Sequence, residues 1–246
     1  MENKPEISII IPAYNEEARL PATLKKTLAY LESNKYNFEL IVVDDGSKDR
    51  TPDIVKEYIK KKLCVKLLIN PKQTGKGYSV KRGMLAAGGD YLFFSDADLS
   101  TPIEEIEKLL TRLRGGCDVA FSSRALSNSQ VIVREAWYRD TMGKIFGFLV
   151  RRLALPGVRD SQCGFKGFRR DAAMKLFSLQ RLDGFAFDVE ILFIARKLGF
   201  RLEEIPVRWV DSPKSKVNPI IDSMKMLIEL FRIRINDYKG VYRYEV

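Results

Sequence analysis

The first half of the chain alternates short apolar runs with stretches in which apolar residues recur every three or four positions. Residues 7–11 are apolar but for Ser8, which predicts a strand covered on both faces. Leu20, Leu24, Leu28 and Leu31 then share one helical face. Residues 40–43 predict the next strand, and Thr51-Pro52 an N-cap and first turn whose helix carries Ile54, Val55, Tyr58 and Ile59 on one side. The alternation continues with a strand at 65–69, a helix over about 77–87 and a strand at 91–94. A helix opened by Thr101-Pro102 and running to about Arg114 and a strand at 119–122 complete it. Such a pattern predicts an α/β fold, a mostly parallel doubly wound sheet with helices on both faces and right-handed crossovers.

The second half is less regular. Residues 137–155 predict a helix, 160–168 a strand or loop, 186–198 a helix and 202–210 a strand. Ile220, Met224, Leu227, Ile228, Phe231 and Ile235 form a last helical stripe, with Lys225, Arg232 and Arg234 beside it. A stripe of this kind is more often packed core than a lipid face, so packing is the expectation for it. Residues 145–155 (IFGFLVRRLAL) mix apolar and basic positions as interfacial helices do, and are expected at a membrane surface.

In doubly wound sheets ligands sit beyond the carboxyl ends of the strands. Three polar clusters fall there: Pro12-Ala13-Tyr14-Asn15-Glu16, Asp44-Asp45-Gly46-Ser47 and Asp96-Ala97-Asp98. Two carboxylates one residue apart can hold Mg²⁺ or Mn²⁺ together with a diphosphate that the ion bridges. Alone, the same three residues read more readily as a solvated loop or helix cap, and it is their place at a strand end that favours the metal. The Asp44 cluster is either a polar turn or an acceptor for base and ribose, and the Pro12 cluster either a bare turn or their cradle.

Composition narrows the choice. With 46% hydrophobic and 30% charged residues the chain is of globular type, and its 246 residues suit a single domain. Histidine is absent, so His-dependent triads and His-ligated metals are excluded, and proton transfer falls to carboxylates, Lys, Tyr or Cys. A net charge of +10 favours anionic partners. Cys64, Cys117 and Cys163 lack zinc-ligand spacing, which predicts a reduced, cytoplasmic protein. No apolar run approaches the ~20 residues a membrane span needs, so any membrane contact is expected to be peripheral. A dinucleotide-binding oxidoreductase is rejected because its first strand-to-helix turn, PAYNEEARL, has no glycine. Nucleic acid is rejected as a partner because carboxylates at strand ends repel a phosphate backbone. Glycosidase chemistry would place two carboxylates either side of a scissile bond rather than adjacent on one strand end.

Taken in order, IIIPAYNEE (9–17), VVDDGSKDRT (42–51), GKGYSVKRG (75–83) and FSDADLS (94–100) resemble the family 2 glycosyltransferases of the GT-A fold. The resemblance implies inversion at the anomeric carbon, a nucleoside diphosphate sugar as donor, and Mg²⁺ or Mn²⁺ as cofactor. It implies one GT-A domain over 1–246, with residues 1–125 as the nucleotide-sugar half and 126–246 as the acceptor half. Pro12, Ala13, Tyr14, Glu16, Asp44 and Asp45 would hold the nucleoside. Lys76 and Ala97 would lie at the donor phosphates, and Asp96 and Asp98 would bind the metal.

DSQCGFK (160–166), FDVE (187–190), Val207-Arg208-Trp209 and Ser215-Lys216 resemble the dolichyl-phosphate glucosyltransferase branch, close to the dolichol-phosphate mannose synthases. That branch implies UDP-glucose as first-choice donor with GDP-mannose as alternative, and a polyprenyl or dolichyl phosphate acceptor. Peripheral contact with an anionic membrane, on its cytoplasmic face, is expected from the apolar and basic residues of 145–155. A phosphate monoester is largely dianionic at neutral pH and needs cations to place it more than a base to activate it. Arg124, Arg139, Gln162, Lys166 and Lys216 are the expected acceptor residues. Asp160 is the expected catalytic carboxylate, orienting the reacting groups, or acting as base if the acceptor is a sugar hydroxyl, the alternative the family leaves open. Asp188 and Glu190 follow as further catalytic candidates or sugar-hydroxyl ligands, or as acids in a first helical turn, where acids are favoured anyway.

Overall fold

The structure is a computed structural model that describes residues 4–133, 137–210 and 219–243, with backbone alone at 133, 137–140 and 219–222. In chain order the elements are β1 (Ile7–Ala13), α1 (Leu20–Ser33), β2 (Phe38–Asp44), α2 (Thr51–Ile59), β3 (Val65–Ile69), α3 (Lys76–Ala86) and β4 (Tyr91–Ser95). A 3₁₀ turn leads into α4 (Ile106–Arg114), followed by β5 (Val119–Ser123), β6 (Gln130–Val133), α5 (Trp137–Leu153), β7 (Phe165–Arg169) and α6 (Arg170–Leu179). Then come α7 (Phe187–Lys197), β8 (Leu202–Pro206), β9 (Arg208–Val210) and α8 (Pro219–Tyr238).

One sheet runs β3-β2-β1-β4-β7-β5-β8, and β6 pairs with β9 in a small parallel ribbon. From β1 the chain first winds outward through β2 and β3, then returns through α3 to place β4 on the other side of β1. The crevice at this reversal is where a doubly wound sheet opens to ligands. Successive β1 residues point to opposite faces. Ile10 joins the core beneath α3, α6 and α7, whereas Ile7, Ile9 and Ile11 join the core beneath α1 and α4. Both faces of the sheet are covered by buried apolar clusters, which explains why these strands read as apolar runs.

Several expectations are corrected. β7 runs antiparallel between β4 and β5, so a strand of the second half lies inside the sheet begun by the first. The predicted strand over 202–210 breaks at Val207 into β8 of the main sheet and β9 of the ribbon. α6 and β6 were not anticipated. Thr51 does not cap α2, because its hydroxyl accepts the Glu16 N–H at 2.7 Å while Asp49 takes the Thr51 N–H at 2.9 Å. The α8 stripe is exposed, not packed: Met224, Ile228, Phe231 and Ile235 are all more than half accessible, and the helix instead buries Leu230 and Ile233. Among the described residues no helix is long and apolar enough to cross a membrane.

Candidate active site

At the β1/β4 reversal the sheet opens into a cleft of about 540 Å³. The end of β1 supplies Pro12, Ala13, Tyr14 and Glu16; the end of β2 supplies Asp45; the end of β4 supplies Asp96, Ala97 and Asp98. Lys76 enters from the first turn of α3. Nine of the ten expected donor residues therefore line one cavity. Asp44 is the exception: it is buried behind the turn and accepts the Ser47 N–H at 3.1 Å, and among the described residues its Oδ1 has no hydrogen-bond partner.

The β1/β2 side is held by carboxylates acting as acceptors. Asp45 takes Asn70 Nδ2 at 2.8 Å, the Thr74 N–H at 3.0 Å and the Gly75 N–H at 2.9 Å, which fixes the loop entering α3. Gly75 sits at φ +130°, where a Cβ would lie 2.2 Å from the Asp183 carbonyl oxygen. Glycine is required there. Glu16 is clasped by Arg19 through Nε–Oε2 at 2.6 Å and Nη2–Oε1 at 2.5 Å, and the same guanidinium reaches Asp98 at 3.6 Å. Arg19 thereby links the Glu16 cluster to the Asp96–Asp98 cluster. Sequence reasoning missed it, though its place one helical turn after Glu16 was visible.

The acidic side is built by the antiparallel β7. Its first residue, Phe165, pairs with Ser95 at the end of β4, so the loop before it is laid against Asp96. A Cβ on Gly164 would stand 1.9 Å from Asp96 Oδ2. Lys76 Nζ meets Asp96 Oδ1 at 2.6 Å. Burial disfavours the Lys76 ammonium, but Asp96, Asp188 and Asp98 outweigh that and hold its pKa above the ordinary range. Asp98 accepts the Ser100 N–H at 3.0 Å. Burial first, and the neighbouring Asp96 second, push the Asp98 carboxyl upward.

Two neighbouring hard-oxygen donors suit Mg²⁺ or Mn²⁺, because a dication offsets both the burial of Asp98 and the repulsion from Asp96. Among the described residues no third His, Cys, Asp or Glu gathers with them. Such ions commonly complete their shell from water and substrate phosphates. Asp96 and Asp98 are the residues that could hold the ion.

Other expected residues lie elsewhere. Lys166 is fully buried; its Nζ donates to Asp188 at 2.5 Å and to the Cys163 carbonyl at 2.7 Å, so it is corrected from a phosphate ligand to an internal counter-ion. Asp188 is its partner behind the cleft, with a carboxyl that burial raises against the pull of Lys166 and Lys76. Glu190 accepts the Arg181 and Leu182 N–H groups and the Tyr242 hydroxyl at 2.6 Å, deep in the core, which removes it from catalysis. Asp160 is clasped by Arg124 through Nε–Oδ2 at 2.7 Å and Nη2–Oδ1 at 3.0 Å. Burial works against its charge, yet Arg124 dominates and holds the Asp160 pKa at about 2. A carboxylate that acidic is a poor base, which speaks against the base alternative for Asp160 and leaves it an orienting role on Arg124, whose guanidinium lies 5.4 Å from the centre of the Trp209 ring. Gln162 lies near the cleft through an Nε2 contact of 3.3 Å to Met226 Sδ. The Arg139 side chain and Lys216 fall outside the described residues.

The remaining wall comes from segments to which sequence reasoning gave no role: Gln73 and Thr74 before α3, Gly184 and Phe185 before α7, and Lys225, Met226 and Glu229 of α8. The only signal was a charged and a polarisable residue set off the apolar stripe of α8.

The sequence model of Glycosyl transferase family 2 matches residues 8–177. The chain is 37% identical to a dolichyl-phosphate β-glucosyltransferase of Drosophila melanogaster, over 99% of this chain and 79% of that one. It is 35% identical to the Homo sapiens protein of the same name, over 98% and 78%, and 34% identical to that of Saccharomyces cerevisiae, over 96% and 76%. In fold it resembles glucosyl-3-phosphoglycerate synthase of Mycobacterium tuberculosis, solved with Mn²⁺, UDP-glucose and phosphoglyceric acid. The TM-score is 0.71 at 19% identity, covering 93% of this chain and 79% of that one.

Proposed function

The chain belongs to glycosyl transferase family 2, and from that premise we propose that it moves glucose from UDP-glucose onto a polyprenyl phosphate such as dolichyl phosphate, with inversion, at the cytoplasmic surface of a membrane. The observation that carries this reading is the convergence of Asp96, Asp98 and Lys76 with Pro12, Ala13, Tyr14, Glu16 and Asp45 in one cleft at the sheet's reversal. The relatives' names supply the sugar and the acceptor, and the Mn²⁺ and UDP-glucose of the solved neighbour support the donor class.

The nucleoside lies along the β1 and β2 ends, and its diphosphate points toward Asp96 and Asp98. Asp96 and Asp98 would hold a divalent ion, whose charge would offset that of the departing nucleotide. Lys76 adds a second cation beside the same phosphates. The candidate catalytic carboxylates are engaged: Asp160 by Arg124, Asp188 by Lys166, and Glu190 by backbone and Tyr242. That favours an acceptor bringing its own anionic oxygen, as a phosphate monoester does. Arg124, oriented by Asp160, is the cation proposed to receive it.

Membrane contact is assigned to the face where Ile145 and Phe148 of α5 and Met224, Ile228, Phe231 and Ile235 of α8 are exposed. The free Cys64, Cys117 and Cys163 fit a reducing compartment. The test is incubation with Mn²⁺, polyprenyl phosphate and a panel of radiolabelled UDP- and GDP-sugars. Label from UDP-glucose should enter the organic phase, and Asp98→Ala should abolish this while leaving the far-UV spectrum unchanged. Label from another donor, or full activity of that variant, would overturn the assignment.

A further inference from the structure

Glu229 is a carboxylate in the cleft that the donor, metal and acceptor roles leave unused. It projects from α8, half-buried, into the wall formed with Gly184 and Phe185. One oxygen, Oε2, accepts the Ala186 N–H at 3.2 Å at the start of α7. Among the described residues Oε1 accepts no hydrogen bond. Its seat is cut for it: a Cβ on Gly184 would stand 2.5 Å from Oε1 and 3.0 Å from Oε2, so only glycine there lets the carboxylate lie against the turn. Burial raises its pKa, with the Ala186 N–H opposing. A half-buried carboxylate with one oxygen open to the cleft can accept a hydrogen bond from a ligand hydroxyl.

Charge decides which part of the reactants this wall can take. A carboxylate repels the donor diphosphate and the acceptor phosphate alike, and the nucleoside is accounted for on the β1 and β2 ends. The neutral, hydroxyl-rich hexose remains. Phe185 beside it offers an apolar ring for the C–H face of a pyranose, the mixture of flat apolar surface and few polar groups by which small ligands are oriented.

We propose that Gly184, Phe185 and Glu229 form the hexose subsite, in which Glu229 Oε1 accepts hydrogen bonds from hydroxyls of the donor sugar. This deepens the functional reading above and rests on it. Glu229 is thus a specificity-determining residue, and α8 carries it on the edge next to its exposed apolar stripe.

The test compares affinities of the full chain for UDP and UDP-glucose, each with Mn²⁺, by calorimetry. Glu229→Gln keeps an oxygen for the Ala186 N–H but weakens the acceptor. It is expected to weaken UDP-glucose binding by about tenfold or more, the size of a lost hydrogen bond to a charged group, while UDP binding changes less than twofold. Glu229→Asp, which retains the charge, should fall between. Equal losses for UDP and UDP-glucose would mean that Glu229 only caps α7, and unchanged affinity for both would mean that it does not touch the sugar. Either overturns the proposal while the donor assignment stands. A wild-type chain that binds neither ligand would overturn the functional reading, and the subsite with it.

Discussion

Gly164 and Asp96 show how tightly single residues govern the site. Both were visible in sequence motifs, but their contact was not, because antiparallel pairing of β7 with β4 brings them together and no local pattern announces strand direction. Gly164→Ala would force the Asp96 carboxylate out of its seat. We expect Mn²⁺-dependent UDP binding to weaken by about 10–100-fold, the usual cost of disturbing a ligand's support, with the circular dichroism spectrum retained. Unchanged affinity would show that Asp96 does not hold the ion. Asp160 makes a separate prediction through pH. Its folded pKa, about 2, lies below the ~4 of an unfolded aspartate, so its stabilisation is complete above ~4 and is lost as pH falls through about 2. Asp160→Asn should cost about 2 kcal/mol at neutral pH, and the gap to wild type should close as pH approaches 2. A gap that widened on acidification would contradict the Arg124 pairing as its source.

Among the elements, β7 and α7 are joined by the buried Lys166–Asp188 pair. Neither member can be removed alone without stranding the other's charge away from water. Lys166→Met is expected to destabilise by about 3–5 kcal/mol in urea unfolding, and Lys166→Met with Asp188→Leu by clearly less. If the double variant were no better than the single, the cost would lie in packing around Phe94 rather than in the orphaned carboxylate. Burial is also where reading from sequence reached its limit. Lys166 was expected to meet substrate from its place in the DSQCGFK motif, and a motif does not reveal that a lysine, a residue seldom enclosed, is buried. Glu190 was read as a site residue because nothing local reveals that Tyr242, near the far end of the chain, closes on it. The buried strands were legible for the opposite reason: a strand covered on both faces must be apolar nearly throughout, as β1 and β2 are. The stripe on α8 was seen but assigned to the wrong side. Helical periodicity is the same whether a face meets core or solvent, and Leu230 and Ile233 make the competing buried edge.

At the scale of the molecule, the proposed membrane contact rests on the exposed faces of α5 and α8 and on the net charge of +10. Ile145, Phe148, Met224, Ile228, Phe231 and Ile235 are each more than half accessible, which is costly to leave in water across two neighbouring helices. α8 also lines the donor cleft through Lys225, Met226 and Glu229. A polyprenyl chain lying in the bilayer would therefore present its phosphate beside the same helix that borders the sugar. Ile228→Glu with Phe231→Glu should abolish co-flotation with anionic vesicles while leaving the melting temperature within a few degrees, because both residues already face solvent. The same pair should slow transfer to long-chain polyprenyl phosphate far more than transfer to a short, water-soluble phosphate, since only the former must be reached at the membrane. Raising the salt concentration should weaken flotation of the wild type in part, because screening removes the cationic share of the attraction and leaves the apolar share. Flotation that survives the double substitution, or equal slowing with both acceptors, would mean that this face serves another contact and that membrane attachment must be sought elsewhere on the chain.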